Sequence, residues 1–242
     1  MSLTYKVDLK FVTVITLPNL SQVWEYENNF YLSCDSLRIA KLIAHYEFYK
    51  LVKNIPGAIV ECGVFKGASL CRFAMFREIF QNQEKQIIGF DTFSKFPKTN
   101  FNFKSNAKNP SLLKSDEEGR KKHMKISPES ISKNQLLKIL KHKHINKNIN
   151  LIQGDIVKTV PHYVKNNPDL KISLLNLDVD IYEPSKTVLE NFYSKISDGG
   201  ILLLDDYGKF PGETMAVNNF FKDKKIKIKK LPYTEFPKYI VK

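Results

Sequence analysis

Three groups of residues in this sequence have the types and spacing to do chemistry. The first is the run Glu61-Cys62-Gly63-Val64-Phe65-Lys66-Gly67-Ala68-Ser69. Its two glycines allow close backbone approach and a sharp turn. The run is neither the G-x-G-x-x-G of a dinucleotide loop nor the G-K-[ST] ending of a phosphate loop. Glu61, two residues before the first glycine, would repel a pyrophosphate and suits a cation, such as the amino group of an amino acid. A plain strand-to-helix turn would give the same run. The second group is Asp91, at the end of the next apolar run, with Gly154-Asp155 after the one that follows. A carboxylate at Asp91 can accept hydrogen bonds from ribose hydroxyls, or it can cap a turn or helix. Gly154 and Asp155 are placed to border an adenine. The third group is a pair of acidic clusters, Asp178-Val179-Asp180-Ile181-Tyr182-Glu183 and Asp205-Asp206. Carboxylates gathered in one place raise each other's pKa unless a cation sits between them. Their hard oxygens suit Mg²⁺ or a similar ion. Aspartates that cap and turn without ever meeting are the plainer alternative.

The elements needed to position these groups are legible as alternating apolar runs and helical patterns. The spacing predicts a helix over 37–52, with Ile39, Leu42, Ile43 and Tyr46 at helical intervals, stopped by Asn54-Ile55-Pro56-Gly57. Buried strands are predicted at 58–62, 87–91, 150–153, 172–179 and 201–204. Helices are predicted at 69–80, at 184–196 and at 214–221, with another about 136–140. Ile226 and Ile228 alternate with lysines as a strand with one solvated face would, and 239–241 is a candidate seventh strand. Short apolar runs separated by helices indicate a mostly parallel sheet covered on both faces. Ligands of such sheets sit at the carboxyl ends of the strands, which is where all three groups fall. Residues 1–34 read as an extension whose Trp24, Tyr26, Phe30 and Tyr31 could cover the site, contact a second copy or pack in the core. The polar stretch at about 92–130 is too long for an ordinary connection and reads as a lid or substrate insertion. Residues 35–242 are expected to form one domain.

Composition narrows the function classes. The chain has 242 residues, 43% of them hydrophobic, and no apolar run of membrane-spanning length. The first residues lack the apolar core of a signal peptide. Cys34, Cys62 and Cys71 are too few and too scattered for a disulfide scaffold or a zinc site, so a reducing cytoplasm is the expected location. The net charge of +13 is compatible with a phosphorylated small-molecule partner or with nucleic acid. Its lysines are scattered, however, and even the dense stretch 222–230 lacks the interleaved aromatics of single-strand binders. A membrane partner is not expected, and homo-oligomerisation is left open. The histidines at 45, 123, 142, 144 and 162 have no partner at telling spacing, and Cys62 reads as a packed thiol.

Taken together, the motifs resemble those of the macrocin O-methyltransferase family, whose members methylate sugar hydroxyls in antibiotic biosynthesis. The run 55–67 is similar to that family's cofactor loop, and Asp91-Thr92-Phe93-Ser94-Lys95-Phe96-Pro97 to its Asp-Ser-Phe-x-Gly-Leu-Pro segment. The acidic run 177–183 resembles its Leu-Asp-Gly-Asp-Leu-Tyr-Glu motif, and 199–208 its Gly-Gly-x-x-x-x-Asp-Asp-Tyr-Gly motif. The resemblance covers about 35–221 and implies a Rossmann-like class I methyltransferase fold with a seven-stranded sheet. It implies S-adenosylmethionine at Glu61, Cys62, Gly63, Val64, Gly67, Ser69, Asp91, Thr92, Gly154, Asp155 and Asp178. It also implies Mg²⁺ on Asp178, Asp205 and Asp206, with Asp180 as general base and Asp178 beside it in catalysis. The departures are Val179, where the family commonly has glycine, and Lys95, where it often has glycine. No match covers 98–127. The expected acceptor is a sugar or nucleotide-sugar hydroxyl, with a phenolic or catechol-like hydroxyl second. Rival readings are a D-x-D phosphatase or glycosyltransferase, and a nucleic-acid-binding or RNA-methylating protein. The first two leave the loop at 61–67 and Asp91 unexplained.

Overall fold

A computed structural model describes residues 14–94, 118, 121 and 129–242. Most of the insertion expected at about 92–130, and the start of the N-terminal extension, lie outside the described residues. The described elements are α1 (Val23–Ser33), α2 (Ser36–Val52), β1 (Ala58–Cys62), α3 (Ala68–Ile79), β2 (Ile87–Asp91), α4 (Lys133–His142) and β3 (Ile149–Gln153). They continue with α5 (Ile156–Asn166), β4 (Ile172–Leu177), α6 (Tyr182–Phe192), β5 (Ile196–Leu204), α7 (Pro211–Phe221) and β6 (Lys238–Val241).

The strands form one sheet in the order β3-β2-β1-β4-β5-β6. The first five are parallel and β6 runs antiparallel to β5. Because side chains alternate across a strand, each central strand feeds two cores. Ile59, Leu174, Ile201 and Leu203 face a cluster with Phe48, Phe73 and Leu136 of α2, α3 and α4. Val60, Cys62, Leu175 and Leu202 face a second cluster with Val160, Val188, Phe192 and Val217 of α5, α6 and α7. The chain leaves β1 outward to β2 and β3, then returns to add β4 on the other side. Such a reversal opens a crevice at the carboxyl ends of β1 and β4.

The sheet has six described strands, not seven. Ile226 and Ile228 pack inward as the alternation requires, and the lysines at 222, 224, 225, 227, 229 and 230 are exposed. The stretch meets β6 through one bridge, Lys229 to Tyr239, which is too little pairing to make a strand. The inward stripe of α2 is also rotated from the expected one. Ala44, His45, Phe48, Tyr49 and Val52 are buried, whereas Ile43 and Tyr46 are exposed. Helix α1 has no buried residue, so Trp24, Tyr26, Phe30 and Tyr31 do not enter this chain's core. Among the described residues, no helix is long and apolar enough to cross a membrane.

Candidate active site

The strand register brings all the sequence-selected groups to one edge. Cys62 aligns with Phe90 and with Leu177, Leu177 with Leu204, and Asp91 with Gln153. Backbone hydrogen bonding continues past the strand ends. Gly63 donates to the Phe90 carbonyl (2.9 Å), Asp178 to Cys62 (3.0 Å), Asp205 to Leu177 (3.0 Å) and Gly154 to Asp91 (2.9 Å). These residues are therefore positioned by the sheet itself.

The loop after β1 fits tightly against β4. Gly63 has φ +93°, and a Cβ placed there would lie 1.6 Å from the Asp178 carbonyl oxygen. Only glycine tolerates both the conformation and the contact. Gly63→Ala should therefore cost at least about 3 kcal/mol of stability, measured as a lowered urea midpoint. Retention of the wild-type midpoint would mean that the loop is not held against β4 in this way. Asp91 organises the same loop: Oδ2 accepts from the Val64 and Phe65 amides at 2.8 and 2.9 Å. Its Oδ1 accepts from the Phe93 amide (2.7 Å) and the Thr92 hydroxyl (3.3 Å). Both carboxylate oxygens are thus engaged by the turn. Asp155 caps α5, accepting from the Val157 amide at 3.0 Å. Both acids fill structural positions at the edge where a cofactor role was expected of them. Cys62 is fully buried, and burial pushes its thiol well above the usual range, so it is no nucleophile.

Glu61 lies on β1 with its side chain toward α3 and no exposed surface. Ser69 donates to its Oε1, as does Asn176 Nδ2 at 3.2 Å, Asn176 being its cross-strand neighbour on β4. Oε2 has no partner among the described residues. Burial pushes the carboxyl up to about 7, against the pull of these two hydrogen bonds.

The two acidic motifs do meet. One ligand oxygen from each of Asp178, Asp205 and Asp206 lies within 4.8 Å of the others. An ion with oxygen ligands at roughly 2.0–2.6 Å spans that separation with little adjustment. Asp180 has φ +63° and hydrogen-bonds through its side chain to Asp206. The left-handed turn falls on Asp180, where Asp is tolerated, and not on Val179. A β-branched residue at 179 is therefore compatible with the motif. Glu183 falls in the first turn of α6, outside the cluster.

Three charged residues at this site were not singled out in the sequence. Glu213 of α7 is completely buried and accepts from the Asp206 amide at 3.1 Å. Lys41 of α2 places Nζ 2.7 Å from Asp205 Oδ2. Arg72 of α3 donates to His45 Nδ1 at 3.1 Å. Lys41 was the most findable, since it continues the inward stripe of His45, Phe48 and Val52 by one helical turn. Burial raises Asp178, Asp180 and Glu213 well above the usual carboxylate range, and the neighbouring acids add to it. Lys209 lies 3.3 Å from Asp206. Among the described residues, five carboxylates thus face two lysines. Asp205 Oδ1 and Glu213 Oε2 have no partner among the described residues. Excess negative charge and buried acceptors without donors fit a divalent cation.

A mostly parallel sheet of this order, with a glycine turn after β1 and acids along the carboxyl edge, defines a class I methyltransferase fold. The family model for the macrocin-O-methyltransferases (TylF) matches residues 37–232, and the chain belongs to that family. It is 23% identical over 167 residues to demethyldecarbamoylnovobiocin O-methyltransferase of Streptomyces niveus, covering 69% of this chain and 59% of that protein. A Streptomyces olivaceus protein, 8-demethyl-8-(2,3-dimethoxy-alpha-L-rhamnosyl)-tetracenomycin-C 4'-O-methyltransferase, is 22% identical, covering 65% of this chain and 55% of its own. The chain thus spans under two thirds of the length of both. Among solved structures, the calicheamicin methyltransferase CalS11 superposes with a TM-score of 0.65 at 29% identity, covering 90% of this chain and 84% of its own. The O-methyltransferase NovP superposes with a TM-score of 0.69 at 20% identity, covering 84% and 79%.

Proposed function

We propose that this protein is an S-adenosylmethionine-dependent O-methyltransferase. It uses a divalent cation to methylate a hydroxyl of a sugar or nucleotide sugar in bacterial glycan or natural-product biosynthesis. The observation that carries the reading is the convergence of Asp178, Asp205 and Asp206 beside the Glu61 loop, in a chain of this family. Family membership supports the methyl donor. One CalS11 structure is named as a TDP-rhamnose 3'-O-methyltransferase, which supports a nucleotide-sugar acceptor. The surplus of basic charge is compatible with its phosphates. Three free cysteines accord with a reducing cytoplasm.

The chain's own residues divide the work. S-adenosylmethionine, when bound, supplies an activated methyl group on sulfur. The turn at Gly63 and Gly67, with Val64 and Cys62, would bed its amino-acid end, and the Glu61 carboxylate, whose Oε2 has no partner among the described residues, would take its ammonium. Ser69 and Asn176 orient that carboxylate. Asp91 holds the loop in register, and Thr92, Gly154 and Asp155 border the nucleoside end. Asp178, Asp205 and Asp206 hold the cation, which when bound lowers the pKa of the acceptor hydroxyl and orients it. Asp180 takes the proton that the hydroxyl gives up. Asp178 joins the loop after β1 to the acidic cluster, its amide donating to the Cys62 carbonyl and its carboxylate belonging to the trio, so it would help position both cofactor and acceptor.

Turnover of TDP-rhamnose with S-adenosylmethionine and Mg²⁺ tests this reading. EDTA should abolish activity, and Asp205→Ala or Asp206→Ala should do the same while cofactor affinity stays within about twofold, against the hundredfold or more expected for turnover. Full activity of either variant in EDTA would remove the metal from the reading. Failure to bind S-adenosylmethionine with or without Mg²⁺ would remove the methyltransferase itself.

A further inference from the structure

Lys41 comes from α2, far in sequence from both acidic motifs, yet its Nζ lies 2.7 Å from Asp205 Oδ2. The contact is largely shielded: 27% of the Lys41 side chain and 8% of the Asp205 side chain are exposed. Lys209, the other lysine at the cluster among the described residues, is 58% exposed and stands 3.3 Å from Asp206. Asp205 is therefore committed twice. One oxygen belongs to the trio that converges on a common point, and a carboxylate oxygen is also held by an ammonium.

We propose that Lys41 is a built-in cation of this cluster and that its ammonium competes with a divalent ion for Asp205. The inference rests on the metal reading given above. Lys41 holds Oδ2 of Asp205 and leaves Oδ1 without a partner among the described residues, so an ion on that carboxylate would stand close to the ammonium and be repelled by it. Lysine is suited to yield, because its charge sits on a flexible four-carbon stem. Without the ion, Lys41 keeps mutually repelling carboxylates assembled. With it, the ammonium withdraws from Asp205. Lys41 thus sets how tightly the ion binds.

Mn²⁺ titration of the whole protein by calorimetry tests the competition, using wild type, Lys41→Met and Lys41→Arg. Lys41→Met should bind Mn²⁺ at least about tenfold more tightly than wild type, because the competing charge is gone. Lys41→Arg, which keeps the charge, should bind as wild type does. Equal or weaker binding by Lys41→Met, with wild type still binding, would overturn the competition and leave the metal reading standing. Absence of Mn²⁺ binding in all three would overturn the metal reading, and the competition with it. A second measurement follows wild type by NMR: the Lys41 ¹⁵Nζ resonance, assigned by its loss in Lys41→Arg, should shift on saturation with Mg²⁺. A resonance that stays in place while Mg²⁺ binds would also overturn the proposal.

Discussion

Asp180→Asn should lower turnover by about two to four orders of magnitude while leaving the affinities for S-adenosylhomocysteine and Mn²⁺ within about twofold of wild type, a change too small to reflect a lost contact. Asp180 hydrogen-bonds to Asp206 and stands outside the trio whose oxygens converge. Its contact with Asp206 puts it beside the trio, where the proposed base would not be needed to hold an ion. Asn preserves the shape and a hydrogen bond to Asp206, but it cannot take a proton. Burial and the Asp206 charge keep the Asp180 carboxyl well above its ordinary range, and a cation in the cluster brings it back toward ionisation. Wild-type turnover should therefore rise with pH as Asp180 deprotonates. Asp180→Asn should lose that acid limb as well as the rate. Near-wild-type turnover with an unchanged pH profile would assign the proton to another group. A parallel loss of Mn²⁺ affinity would make Asp180 a ligand.

How much of this site could be read in advance follows from what sequence encodes locally. Each strand's carboxyl end is marked by an apolar run giving way to polar residues, so the loop at 61–67, Asp91, Asp155 and both acidic motifs fall on one edge from the sequence alone. That edge is a consequence of parallel connection, and it needs no knowledge of side-chain contacts. Glu213 and Lys41 were hidden for a different reason. Glu213 sits in the first turn of α7, where an acid is ordinary because it complements the helix dipole. Its burial depends on how α7 packs beside α6. Lys41 is one lysine among many, and its meaning depends on which stripe of α2 faces the sheet. The helical spacing of Ile39, Leu42, Ile43 and Tyr46 does not pick out that stripe, because Ile43 and Tyr46 are exposed whereas His45 is buried. The strand expected at 226–228 fails on similar grounds, since an alternating pattern describes which side chains point inward but does not supply a partner's hydrogen bonds.

Glu61→Gln is expected to move stability and cofactor affinity in opposite directions, a combination that simple structural damage does not produce. Glu61 has no exposed surface, and its carboxyl is raised from 4.5 to about 7 by burial. Ionising it there costs on the order of 3 kcal/mol. In the free protein the folded state keeps a proton that the unfolded state has already released. Stability therefore falls as pH rises through the window from about 4.5 to 7. Gln carries no such charge, so at pH 8 the unliganded Glu61→Gln protein should unfold at a higher urea concentration than wild type. The cofactor reverses the balance. An ammonium placed on Oε2, the oxygen without a partner among the described residues, stabilises the ionised form. Affinity for S-adenosylmethionine should rise roughly tenfold between pH 5.5 and pH 7 as Glu61 ionises. Glu61→Gln should bind about a hundredfold more weakly at pH 7.5, which is the scale of one charge-assisted hydrogen bond, and its affinity should be flat across the same range. Calorimetric titrations at several pH values and urea unfolding without ligand measure both quantities. A variant that binds as wild type does would free Glu61 from the cofactor and leave it a buried acid held by Ser69 and Asn176 alone. A variant that loses both affinity and stability would make its role structural.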